Sequence, residues 1–63
     1  MLKLDTVNSS LIRAVAYDGY HLFVQLHTSD TIHTYYSVPE SVFHDFMNAR
    51  SKRTFYNRHI RGR

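Results

Sequence analysis

The chain holds a single proline, Pro39, and the spacing of apolar residues changes on either side of it. Before Pro39 the runs Leu11–Tyr17, Tyr20–His27 and Thr31–Val38 are rich in β-branched and aromatic residues, and Leu22, Val24 and Leu26 recur at every second position, the period of a strand with one buried face. After it Val42, Phe43, Phe46 and Met47 recur at i, i+1, i+4 and i+5, which places one apolar stripe along a helix. Proline suits the first helical position and Glu40 favours the positive end of the helix dipole, so the helix starts here and ends around Ala49 or Arg50. Ser51 can cap a second short helix, in which Phe55, Tyr56, His59 and Ile60 repeat the spacing and the cations take the other side. The expected class is α+β: a three-stranded antiparallel β-meander packed by one α-helix and followed by a short basic C-terminal helix.

Strand register follows from the turns. A two-residue turn at Asp18-Gly19 sets Tyr17 opposite Tyr20, Val15 opposite Leu22 and Leu11 opposite Leu26. Leu11, Val15, Leu22, Val24 and Leu26 then share the buried face, and Arg13 falls opposite Val24 on that same face, tolerable on an edge strand from which it snorkels to water. Thr28-Ser29-Asp30 reads as the second turn. A three-residue loop turns Ile32, Thr34, Tyr36 and Val38 inward and leaves Phe23, His33 and Tyr35 on the open face; a two-residue loop exchanges the sets. The first gathers more aliphatic surface inside and is the expected register. Residues 1–8 read as a loose lead-in to one domain spanning 1–63.

With 63 residues and no cysteine, the chain has neither a large core nor a disulfide to strengthen a small one, so help from a partner or a second copy is reasonable. Cysteine-based zinc sites are excluded and a cytoplasmic setting is expected. No apolar run approaches a membrane span, and the N-terminus lacks the apolar core of a secretion signal. The net charge of +3 is unevenly placed: residues up to Ala49 hold two Lys/Arg and five acids, whereas Arg50–Arg63 holds six cations and no acid. That local field matters more to a ligand than the total.

In the C-terminal segment cations alternate with rings and an amide, the two components an exposed nucleic-acid strand engages. Lys52, Arg53, Arg58, Arg61 and Arg63 are the candidates for phosphates, Tyr56 or His59 for stacking, and Asn57 for a hydrogen bond. On the open sheet face Tyr35, beside Phe23, is a second candidate stacking surface. The competing reading packs Phe55, Tyr56 and Ile60 onto the sheet and leaves the cations solvated. His21, His27 and His33 are spaced by six residues, which on strands separates them by roughly 20 Å, too far for a shared metal; no metal or other cofactor is expected. The serines at 9, 10, 29, 37, 41 and 51 lack a motif supplying a base and an oxyanion site, and catalysis is not expected. Ile60 is the one large aliphatic residue after Ala49, too little for membrane insertion.

The order of these pieces resembles the KTSC domain, a module named for its occurrence at the C-terminus of some lysyl-tRNA synthetases and also found as a stand-alone bacterial or phage protein. The resemblance is carried by Ser9-Ser10 with Ile12, Tyr17-Asp18, Leu22-Val24-Leu26, Tyr35 before Val38-Pro39, Ala49 before Ser51-Lys52, and Asn57 through Ile60-Arg61. The chain departs from the family at His33-Thr34-Tyr35, where the pattern has Tyr-x-Tyr, and at Ser51-Lys52-Arg53, where it has Ser-Lys-Gly. The resemblance implies the fold and, from its synthetase context, RNA binding, without aminoacylation. The expected function is a small non-catalytic nucleic-acid-binding module, with RNA or a single strand as partner. The alternative is a protein-interaction module that docks an acidic partner or pairs with itself as a homodimer.

Overall fold

The computed structural model describes residues 4–61. Strands β1 (Asp5–Thr6), β2 (Ile12–Tyr17), β3 (Leu22–Leu26) and β4 (Ile32–Tyr35) precede α1 (Glu40–Asn48) and α2 (Lys52–Phe55), which passes directly into a π-helical turn at Tyr56–Ile60. The strands form one antiparallel sheet in the order β1-β2-β3-β4. The fold is therefore α+β with four strands, one more than the meander expected from the sequence. β1 lies within the stretch read as a loose lead-in, pairing Asp5 with Val15 and Thr6 with Ala14. Two exposed polar residues give no alternating pattern, so this strand is set by its neighbour rather than by its own side chains.

The first hairpin is wider than a two-residue turn. Its ladder ends at Tyr17 opposite Leu22, leaving Asp18 to His21 in the loop. Asp18 explains the width: one carboxylate oxygen accepts the backbone N–H groups of Tyr20 (2.9 Å) and His21 (2.6 Å), and the other meets His21 Nδ1 at 2.9 Å. A side chain that satisfies two loop donors closes the turn by itself, while Gly19 takes the required positive φ of 96°. Val15 consequently faces Val24 rather than Leu22, a slip of two residues that keeps Val15, Leu22 and Val24 inward.

Arg13 does not reach the core face. Between Ile12 and Ala14 the β2 ladder advances two residues while β3 advances one, from Leu26 to Gln25, so Arg13 is the extra residue of a β-bulge. The bulge reverses the alternation: Ile12, opposite Leu26, is fully buried, and Arg13 is exposed. The expected Leu11–Leu26 and Arg13–Val24 pairs are thus replaced, and burial of an unpaired guanidinium is avoided.

The expected third-strand register is also overturned. Tyr35 lies opposite Leu22 and His33 opposite Val24 on the helix side, whereas Ile32 faces Gln25 and Thr34 faces Phe23 on the open side. Counting aliphatic residues omitted what Tyr35 gains inside, a hydroxyl–hydroxyl bond to Tyr56 and an edge-to-face ring contact at 5.8 Å. Val38 nevertheless turns inward, because Ser37 adopts a left-handed φ of 57° and shifts the alternation.

Pro39 is the N-cap of α1 rather than its first residue, and its carbonyl accepts the N–H groups of Val42 and Phe43 at 3.0 and 3.1 Å. From α1, Phe46 is fully buried and Phe43 stacks on Tyr17 with centroids 4.3 Å apart. The core joins Ile12, Val15, Leu22 and Val24 of the sheet to Val38, Phe46, Tyr56 and Ile60. The C-terminal segment is therefore a wall of the core and not an appendage to it.

The loop donors hold the Asp18 carboxyl down at about 2, with the His21 N–H the largest cause. Because this folded value lies below the ordinary aspartate value of about 3.9, the contribution is complete above that value and disappears as pH falls toward 2. Asp18→Ala is expected to lower the melting temperature at pH 7 and to remove part of the stability loss between about pH 4 and 2. Parallel thermal melts of both proteins across that range, giving superimposable pH profiles, would contradict this role.

Candidate nucleic-acid interface

At the junction of the two helical segments, Ser51 Oγ accepts the Thr54 N–H at 3.3 Å and donates to Thr54 Oγ1 at 3.0 Å, fixing the start of α2. Phe55 then lies against Phe46 with centroids 5.8 Å apart, and His59 sits 4.5 Å from Phe55 on the outward side. The helix closes through an i→i+5 bond, Arg61 N–H to Tyr56 O at 2.8 Å, so one extra residue is accommodated in the turn that carries Arg58 and His59. Turns of this kind recur at functional sites.

These elements enclose an open groove of about 250 Å³ lined by Ala49, Arg50, Ser51, Thr54, Phe55, Arg58 and His59. Arg50 and Arg58 are exposed, and among the described residues no cation of this segment forms a salt bridge; the ion pairs recorded are Asp18–His21 and Glu40–His44. The groove thus combines two unneutralised guanidinium groups with an accessible imidazole tilted at 43° against a phenyl ring. Such a site can neutralise phosphates and receive the flat face of a base.

Of the residues proposed from the sequence, Arg58 and His59 line the groove. Arg53, Asn57 and Arg61 are exposed on the same segment, and Lys52 is half-buried, without lining it. Arg63 lies outside the described residues. Tyr56 is 3% exposed and unable to offer its face to a base, which corrects its assignment as a stacking ring. Its phenol is pushed upward by burial and by the Tyr35 hydroxyl. Tyr35 likewise points inward to Tyr56, so it is not the open-face platform expected beside Phe23. Arg50, Ser51, Thr54 and Phe55 were not singled out as site residues; the i, i+4 spacing of Phe55 and His59 was the available signal.

Residues 8–63 match the family model of the KTSC domain. The chain belongs to the KTSC domain family. Its fold is similar to the crystal structure of a KTSC domain protein from Yersinia pestis, with a TM-score of 0.90 and 31% sequence identity, covering 100% of this chain and 90% of that one. No curated protein matches the sequence significantly.

The two departures from the KTSC pattern have simple structural settings. His33 and Tyr35 both lie on the helix side of β4, so the substitution changes an inward-facing pair, of which Tyr35 keeps the bond to Tyr56. Arg53 lies within α2, and Ser37 is the one non-glycine residue with positive φ among the described residues, so no left-handed glycine is needed after Lys52. Among the described residues, no helix is long and apolar enough to cross a membrane, and no three His, Cys, Asp or Glu side chains are grouped to hold a metal.

Proposed function

We propose that this KTSC domain is a non-catalytic cytoplasmic module that binds single-stranded nucleic acid, RNA in the first instance, through the groove beside Phe55 and His59. The observation that carries this reading is the convergence of unpaired Arg50 and Arg58 on an aromatic pair whose outer ring is exposed. Arg50 and Arg58 engage phosphates, His59 stacks beneath an unpaired base, and Arg53, Asn57 and Arg61 extend the contact along the segment. A duplex keeps its base faces stacked on one another, which favours a single strand at such a site.

If about four phosphates are neutralised, log affinity for single-stranded RNA falls with log salt at a slope near −3, and Arg50→Gln with Arg58→Gln flattens it by roughly 1–1.5 units. His59→Ala is expected to weaken RNA binding by about 1–3 kcal/mol through loss of stacking, read by fluorescence anisotropy. An unstructured acidic polypeptide of equal charge provides the comparison: equal affinity for both polyanions, unaffected by His59→Ala, would replace this reading with docking of an acidic protein.

A further inference from the structure

The large hydrophobic residues most exposed among the described residues are Tyr20, Ile32 and Tyr36, at 54, 46 and 67%. Ile32 belongs to β4, and Tyr36 immediately follows it. Within the sheet β4 is paired with β3 on one side and occupies the outer position on the other. Edge strands are commonly shielded by a lysine, a proline, a bulge or extreme shortness. β4, with the sequence Ile-His-Thr-Tyr, contains neither lysine nor proline, and its register against β3 is regular from Ile32 to Tyr35. The opposite edge, β1, is only two residues long.

Two of these exposed residues, Ile32 and Tyr36, are symmetrically placed about Thr34. In an antiparallel ladder, directly opposed residues share a face, so an association centred on Thr34 opposite its copy sets Ile32 opposite Tyr36 of the second chain, and Tyr36 opposite Ile32. Both pairs fall on the open face, where Tyr36 already meets His21, 5.1 Å away, and His21 meets Phe23, 6.2 Å away. The other face brings His33 opposite Tyr35. The pattern is self-complementary under a two-fold axis and has no acid or lysine within it, so the same patch serves both protomers.

We propose that this edge is a homodimer interface: two copies pair antiparallel through β4 about a two-fold axis at Thr34 and continue the sheet from one protomer into the next. The occupant is a second copy because register, apolar content and lack of charge are matched by the strand itself. The dimer is weak, since a single short ladder falls at the low end of interface sizes. It would carry two basic grooves, an arrangement that raises avidity for one strand without a new contact. The association itself is independent of the nucleic-acid reading.

Sedimentation velocity over a wide concentration range tests the proposal. The wild-type chain should show a concentration-dependent monomer–dimer equilibrium, and Ile32→Glu or Tyr36→Lys alone should weaken it at least about tenfold, with folding checked by circular dichroism. Mixing the two variants should restore association, because the carboxylate at position 32 of one chain then faces the ammonium at position 36 of the other. The cysteine-free chain permits a further readout: Thr34→Cys should oxidise to a disulfide-linked dimer much faster than Ser41→Cys on α1. A wild-type monomer at every concentration, or variants that neither dissociate nor recover on mixing, would overturn the proposal. Dimerisation unaffected at position 32 or 36, with no preferential cross-link at 34, would place the interface elsewhere and overturn it equally.

Discussion

Phe46→Ala is expected to lower the unfolding free energy by about 3–5 kcal/mol and, in so small a domain, to leave much of the chain unfolded at ordinary temperature. Phe46 is completely excluded from solvent and is the one α1 side chain in the fully buried core. It also bears on Phe55, so its removal loosens the groove along with the sheet. Urea denaturation followed by circular dichroism gives the measurement. A cooperative transition with an almost unchanged midpoint would contradict this packing.

Tyr56→Ala is expected to have a comparable effect, about 3–5 kcal/mol, because it empties the corresponding place beneath the C-terminal segment. Tyr56→Phe separates the ring from the hydroxyl: it keeps the packing and leaves Tyr35 without its partner, a loss of about 1–2 kcal/mol. Tyr35→Phe should produce a similar loss, and the double variant should lose less than the sum, the mark of a direct pair. Strict additivity would show that the two hydroxyls do not support one another. The upward shift of the Tyr56 phenol fixes the sign at high pH. Its folded value exceeds the unfolded one, so the contribution is complete below an ordinary tyrosine value of about 10 and is lost as pH rises beyond it. Tyr56→Phe should therefore show a shallower alkaline loss of stability than the wild type.

The helical half of the molecule was legible because its signals are local. The i, i+3, i+4 spacing of Phe43, Phe46 and Met47 and the capping oxygen of Ser51 each act within one or two turns, and the structure uses them at the positions read from the sequence. The strands depend on partners distant along the chain. Alternation could not distinguish Tyr35 inward from Tyr36 inward, since both are aromatic; the deciding contact is with Tyr56, 21 residues later. Nor could it reveal the bulge at Arg13, although an arginine falling on an apolar face was the visible symptom. In the candidate site Arg58 was legible as one of five cations named from charge, whereas Arg50 was not, because charge locates the basic run but not which of its members face the groove. The roles of Tyr56 and His59 were not, because both follow the same spacing as Phe55 and Ile60 and only packing decides which ring is enclosed.

The width of the first hairpin also bears on how the chain finds its fold. The tight Asp18-Gly19 turn and the observed four-residue loop differ by two residues, so both bury Val15, Leu22 and Val24, and hydrophobic collapse alone does not discriminate between them. Selection instead falls to polar features at the two ends of the hairpin, the Asp18 carboxylate on the loop donors and the bulge that lets Ile12 meet Leu26. A nascent β2–β3 pair can therefore acquire the proper inside and outside before it acquires the proper partners. Proofreading of that near miss rests on one acidic side chain and one additional residue, not on the amount of oil in the core.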